Sequence, residues 1–189
     1  MSATDVKVWD PLVRLFHWSL LAACVVAYLT QEENYDLHLY AGYAVLGLVL
    51  FRVLWGLVGP RHARFTDFLY GPGAVIRYLR GLWRSPATRY LGHNPAGGAM
   101  VIKLLLTLLV ITVSGVALDA AENRAGPLAA TRLFLYRDQI IDLHVVSTNV
   151  GLGLVALHLL GVLHASIAHR ENLVRALITG RKRPLDQTR

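Results

Sequence analysis

The chain has 189 residues, 54% of them hydrophobic and 16% charged, with one cysteine and a formal net charge of +7. Soluble domains average roughly 45–50% apolar and 25% charged residues, so this composition points to a membrane and excludes a disordered chain. Cys24 alone excludes a disulfide scaffold, and the basic surplus and eight histidines are the features left to explain.

Four apolar stretches approach the roughly 20 residues that cross a bilayer as a helix. They run over 12–30, 37–58, 99–118 and 143–168, and in lipid each must satisfy its own backbone hydrogen bonds. The expected fold is all-α, a four-transmembrane-helix bundle forming a single domain over 1–189. The fourth stretch is long enough to tilt or to project beyond the lipid. Lys7 and Arg14 ahead of the first apolar run imitate a secretory signal, but the run is expected to remain a helix of the mature protein.

Outside the spans, the loop 59–98 contains a stretch, 73–83, with Val75, Tyr78, Leu79 and Leu82 on one helical face and Arg77, Arg80 and Arg84 beside it. That pattern predicts a short interfacial amphipathic helix. A second is expected over 128–141. The tail 181–189 is expected to be flexible.

The charges sort by side. The N-terminus, the loop 59–98 and the tail after His169 carry 14 Lys and Arg against five acids. The segments 31–36 and 119–142 carry three arginines against seven acids. The positive-inside rule then predicts both termini in the cytoplasm of a multi-pass inner-membrane protein. The basic surplus is topological, so no nucleic-acid partner is expected.

Ionisable residues within a span are costly and default to functional candidates. His144 and His158 are fourteen residues apart, 40° short of four full turns, so they leave one face of the fourth helix about 21 Å apart. His17 lies near the cytoplasmic end of the first helix, at the depth of His158. His38 opens the second helix at the depth of His144. Two pairs of histidines on facing helices result, each suited to a six-coordinate b-type haem in a bundle core. Covalent attachment is excluded because no CxxCH occurs. Zinc fits less well, since neither pair has nearby Cys or acidic residues to complete a tetrahedral site.

Other side chains stand around these four. Gly151 lies midway between His144 and His158, and Gly42 one turn after His38. Either could let a flat macrocycle approach, or serve close helix packing. Arg14 shares the face of His17, and Arg52 follows His38 by fourteen. Both are candidates to meet haem propionates, with snorkelling as the alternative for Arg52; Lys103 is a weaker candidate. His164 points away from the His158 face, His169 lies beyond the lipid, and His62 and His93 sit in the basic loop and need bind nothing.

The run Trp9-Asp10-Pro11-Leu12-Val13-Arg14-Leu15-Phe16-His17-Trp18 resembles the opening of bacterial di-haem cytochromes b. So do His38 with Gly42 and Arg52, the segment Gly92-His93-Asn94-Pro95, His144, His158 and His164, and the tail 170–183. Nearly the whole chain is similar to the bacterial cytochrome b561 family, which includes cytochrome b subunits of nickel–iron hydrogenases. The resemblance implies two haem b groups on His17, His38, His144 and His158, with electrons passing between the quinone pool and a redox partner.

The expected function is thus transmembrane electron transfer, with the lipid bilayer, a quinone such as ubiquinone and a redox protein such as a periplasmic cytochrome c as partners. Hydrogenase subunits of this kind tend to be longer, so the chain leans toward the stand-alone branch. Superoxide oxidation with quinone reduction, known for some members, would need a positive funnel at the outer face; here that face is net acidic. A haem-free anchor or assembly subunit and a proton or metal transporter are the readings from other classes.

Overall fold

The computed structural model describes residues 5–82 and 89–184. Its class is all-α with four membrane-spanning helices. These are α1 (Pro11–Thr30), α2 (Tyr35–Val58), α5 (Pro95–Asn123) and α6 (Arg137–Ala168), joined by the short helices α3 (Phe65–Phe68) and α4 (Pro72–Gly81) and followed by α7 (Leu173–Thr179). A two-residue strand, β1 (Val6–Lys7), pairs antiparallel with β2 (Arg181–Lys182).

The helix ends have local causes. Pro11 and Pro95 open α1 and α5, where the missing N–H costs nothing. Asparagine caps three starts: Asn34 accepts from Leu37 N, Asn94 from Gly97 N and Asn172 from Arg175 N. Gly59 and Pro60 stop α2.

The third and fourth helices are longer than their apolar stretches. α5 runs on to Asn123 because Asp119, buried, accepts hydrogen bonds from Tyr35 Oη and Asn123 Nδ2, so its charge is no helix breaker there. α6 starts at Arg137, whose guanidinium pairs with Glu122 and Asp138. The amphipathic helix expected over 128–141 does not form. Turns lead instead into a 3₁₀ turn, Leu133–Tyr136, that runs directly into α6. The one expected within 73–83 does form, as α4; Trp83 and Arg84 lie outside the described residues.

The long helices expose apolar side chains along their length, from Leu15, Leu21 and Leu29 on α1 to Leu157, Leu160 and Leu163 on α6. Water would not tolerate so large an apolar surface, whereas a bilayer requires it. Along α2, Ala41, Val45, Val49, Arg52 and Gly56 are buried at steps of three or four, one stripe of the helix that also carries His38.

The chain divides into two compact units, and the division falls inside each of the four long helices. The first unit comprises the described parts of 1–17, 52–102 and 156–189; the second comprises 18–51 and 103–155. In the first unit the tail 181–189, expected to be flexible, begins with β2, and residues 185–189 lie outside the described residues. Gly180, at φ +78°, caps α7, and its carbonyl accepts from Val8 N and Trp9 N. Beside it, Arg89 donates to Glu171 and to the carbonyls of Arg183 and Pro184, and Lys182 donates to the carbonyls of Tyr90 and Leu91. Burial alone would raise the Glu171 carboxyl, but the bonds from Arg89 and Arg183 and the Lys182 charge hold it below its ordinary value.

Candidate functional site

The two units hold one pair of histidines each. In the second unit, His38 near the start of α2 and His144 on α6 face each other with ring centroids 6.3 Å apart and planes at 79°. Each ring is oriented through Nδ1. His38 Nδ1 lies 2.8 Å from the carbonyl of Ala27. His144 Nδ1 lies 3.0 Å from that of Ile111 and 3.1 Å from Ser114 Oγ, which itself donates to Ile111 O. A carbonyl only accepts, so each Nδ1 carries the proton and each Nε2 keeps a free lone pair.

Neighbouring residues make room for this arrangement. A side-chain carbon on Gly115 would stand 3.2 Å from His144 Cε1, so any larger residue there would require the imidazole to shift by a few tenths of an ångström. Gly42 faces open space, with nothing within 4 Å of where its Cβ would be. Gly151 differs: its Cβ would meet Ile111 Cδ1 at 3.1 Å and Thr107 Cγ2 at 3.6 Å. At that position α6 lies close to α5 through a small residue.

In the first unit, His17 on α1 and His158 on α6 lie within electrostatic range of each other. Around them are polar atoms without counterparts. Arg52 is 3% exposed. Its guanidinium lies over the Phe65 and Phe68 rings at 5.1 and 5.9 Å, and its Nη1 has no hydrogen-bond partner. Arg14 Nε, three residues before His17, is likewise unpaired. His93 is packed between Trp9 and Phe68, with centroids at 4.8 and 4.5 Å, and its Nδ1 is buried and unpaired. Burial, then the nearby Arg52 and Lys182 cations, pushes His93 down to about 3. Arg52 also feels the Asp10 carboxylate, and His93 at that value is neutral, so the free capacity here lies in individual nitrogens rather than in net charge.

The remaining histidines stand apart. His62 pairs with Asp67 at 2.9 Å. His164 is exposed on α6, and His169 follows the end of that helix. Lys103 is also exposed.

A family model described as prokaryotic cytochrome b561 matches residues 8–180. The chain belongs to that family. Among curated proteins it is similar to the probable Ni/Fe-hydrogenase B-type cytochrome subunits of Azotobacter chroococcum mcd 1 and Azotobacter vinelandii. Each is 28% identical over 205 residues, covering 90% of this chain and 83% of the relative. No solved structure matches it significantly.

A b561 cytochrome carries haem b and transfers electrons within the membrane, and the residues present fit that group. Two metal–imidazole bonds of about 2 Å in line, each with about 1.1 Å from nitrogen to ring centroid, place the two centroids roughly 6 Å apart. The His38 and His144 rings have that separation. Among the described residues no three His, Cys, Asp or Glu side chains converge, so a metal held here must bring its other ligands with it, as a porphyrin does. The unpaired Nη1 of Arg52 is a buried donor that a carboxylate of such a macrocycle would satisfy.

Sequence reading missed Ser114, Gly115 and His93. The first two break an otherwise branched-aliphatic run in α5, which is a visible signal. His93 lies in Gly92-His93-Asn94-Pro95, one of the segments that carry the family resemblance.

Proposed function

We propose that this b561 cytochrome carries electrons across the inner membrane through two b-type haems, one held by His17 and His158 and the other by His38 and His144. Haem b, when bound, would supply a one-electron couple, and the four histidines are the residues that would hold its iron. The observation that carries the reading is the facing pair His38 and His144, each with Nδ1 turned to a backbone carbonyl. Such second contacts fix the tautomer and raise the basicity of the ligating nitrogen.

The chain's own residues do the positioning. Ile111 O and Ser114 orient His144, Ala27 O orients His38, and Gly42 leaves a face open for a flat ring. Arg14, Arg52 and His93 offer donors to propionates in the first unit. The protein sets orientation and potential, and the cofactor supplies the redox change.

Electrons would pass between the quinone pool, with ubiquinone as the candidate substrate, and a redox protein outside the lipid. The charge asymmetry of the loops supports both termini in the cytoplasm. An acidic outer face then favours a basic partner, such as a periplasmic cytochrome c. The names of the Azotobacter relatives support a second reading, in which the chain is the membrane subunit of a hydrogenase-type complex.

The test is haem extraction and a reduced-minus-oxidised visible spectrum of the purified chain. Two haems b per chain with sharp α bands are expected, and a colourless protein would overturn the proposal. Purification from native membranes separates the two readings. A co-purifying hydrogenase supports the second, and a chain isolated alone that reacts with quinone supports the first.

A further inference from the structure

Between α2 and α5 the chain builds one helix that electron transfer does not use. α4 is amphipathic in an unusual way. Ala74, Val75 and Tyr78 turn inward, with the Tyr78 ring 5.9 Å from that of Tyr90, which also meets Tyr70 at 6.2 Å. The opposite face exposes Arg77 and Arg80, three residues apart and therefore side by side. Ile76, 49% exposed, lies beside them, and Leu79, 45% exposed, stands at the edge between this face and that of Val75, where the sequence pattern places it. Gly73, Ile76, Arg77, Arg80 and Gly81 line a shallow groove of about 620 Å³.

Neither arginine has an acidic partner among the described residues. Asp67 is the one acid in the whole segment 59–98, and Arg61 and His62 already engage it. Two adjacent guanidinium groups repel each other until an anion bridges them, and the planar fork of arginine matches phosphate oxygens in pairs. Exposed isoleucine and leucine beside such a pair would be a liability in water. At a bilayer surface they reach the acyl boundary while the arginines stay at headgroup level.

We propose that this face of α4 is a binding site for an anionic phospholipid, with Arg77 and Arg80 on its headgroup phosphate and Ile76 and Leu79 against its acyl chains. The bilayer that the four spans cross supplies the occupant. An acidic protein surface would satisfy the arginines but leave the two apolar side chains unused, which favours lipid. A zwitterionic headgroup carries its own cation beside the phosphate, so the site discriminates by net charge.

Native mass spectrometry of the detergent-purified full chain tests this with phosphatidylglycerol, with phosphatidylcholine of the same acyl chains, and with inorganic phosphate. Phosphatidylglycerol is expected to bind in clear preference to phosphatidylcholine, and the preference to fall as salt rises. Each arginine contributes about fivefold, so Arg77→Gln with Arg80→Gln lowers the preference about 25-fold, with helical circular dichroism unchanged. Arg77→Lys with Arg80→Lys retains most of it. Ile76→Ser weakens both lipids and leaves their ratio intact. Equal binding of the two lipids, a preference that survives the double glutamine variant, or displacement of phosphatidylglycerol by an equal concentration of inorganic phosphate would each overturn the proposal.

Discussion

In the second unit the histidine pair is oriented by hydrogen bonds of its own, through Ala27 O, Ile111 O and Ser114. In the first unit the unused hydrogen-bonding capacity lies around the pair, on Arg14, Arg52 and His93. The contrast teaches that preorganisation takes two forms in one chain. One unit fixes the direction of its imidazoles through backbone carbonyls, and the other keeps buried nitrogens without partners on residues near its pair. Leaving a guanidinium nitrogen buried without a partner is costly, and in Arg52 the Phe65 and Phe68 rings and the nearby Asp10 carboxylate offset part of that cost.

The strongest way to break this comparison is to remove a ligand from one unit only. His144→Ala should halve the haem b extracted per chain while the remaining α band survives. Loss of both haems, or of neither, would refute the assignment of one pair to each unit.

Arg52→Gln should act on the other unit. A unit charge within about 10 Å at an effective dielectric near 20 is worth on the order of 1.5–2 kcal/mol, or roughly 60–90 mV for one electron. Removing a cation disfavours the reduced state, so the redox titration should show one haem shifted down by that amount and the other unmoved. An equal shift in both would erase the distinction between the units.

Gly115→Ala probes the tight approach to His144. The added carbon must displace the imidazole or the α5 backbone, at a cost of about 1–3 kcal/mol, and thermal unfolding followed at the haem band should report it. Gly42→Ala, placed in open space, should cost less in the protein freed of its haem and more in the loaded protein, where the ring would fill that space.

The smallest effect belongs to Ser114→Ala. Ile111 O still holds His144 Nδ1, so the loss should stay within about 1 kcal/mol and move one haem's potential only slightly. A shift as large as that of Arg52→Gln would mean the serine, rather than the carbonyl, sets the ligand.

Much of this was legible in the sequence, and the parts that were not share a cause. Length and apolarity give the four spans, because lipid leaves a chain few options. The depths of His17, His38, His144 and His158 follow from helical arithmetic. The extensions of α5 and α6 were hidden because Asp119, Glu122 and Arg137 read as loop residues until their partners across the turn are known. The carbonyls of Ala27 and Ile111 have no sequence signature, since every residue has one. Ser114 and Gly115 were not singled out because only their packing against His144 gives them a role. His93 was set aside as a loop residue, and only packing brings it against Trp9 and Phe68.

The pairing of Val6 with Lys182 and of Lys7 with Arg181 has a consequence for biosynthesis. β1 precedes all four spans in the chain and β2 follows them, so the first strand waits, unpaired, through the insertion of every later helix. The clasp can therefore close only after the last span has been made. A chain truncated before Gly180 would leave Val8 N and Trp9 N without their acceptor.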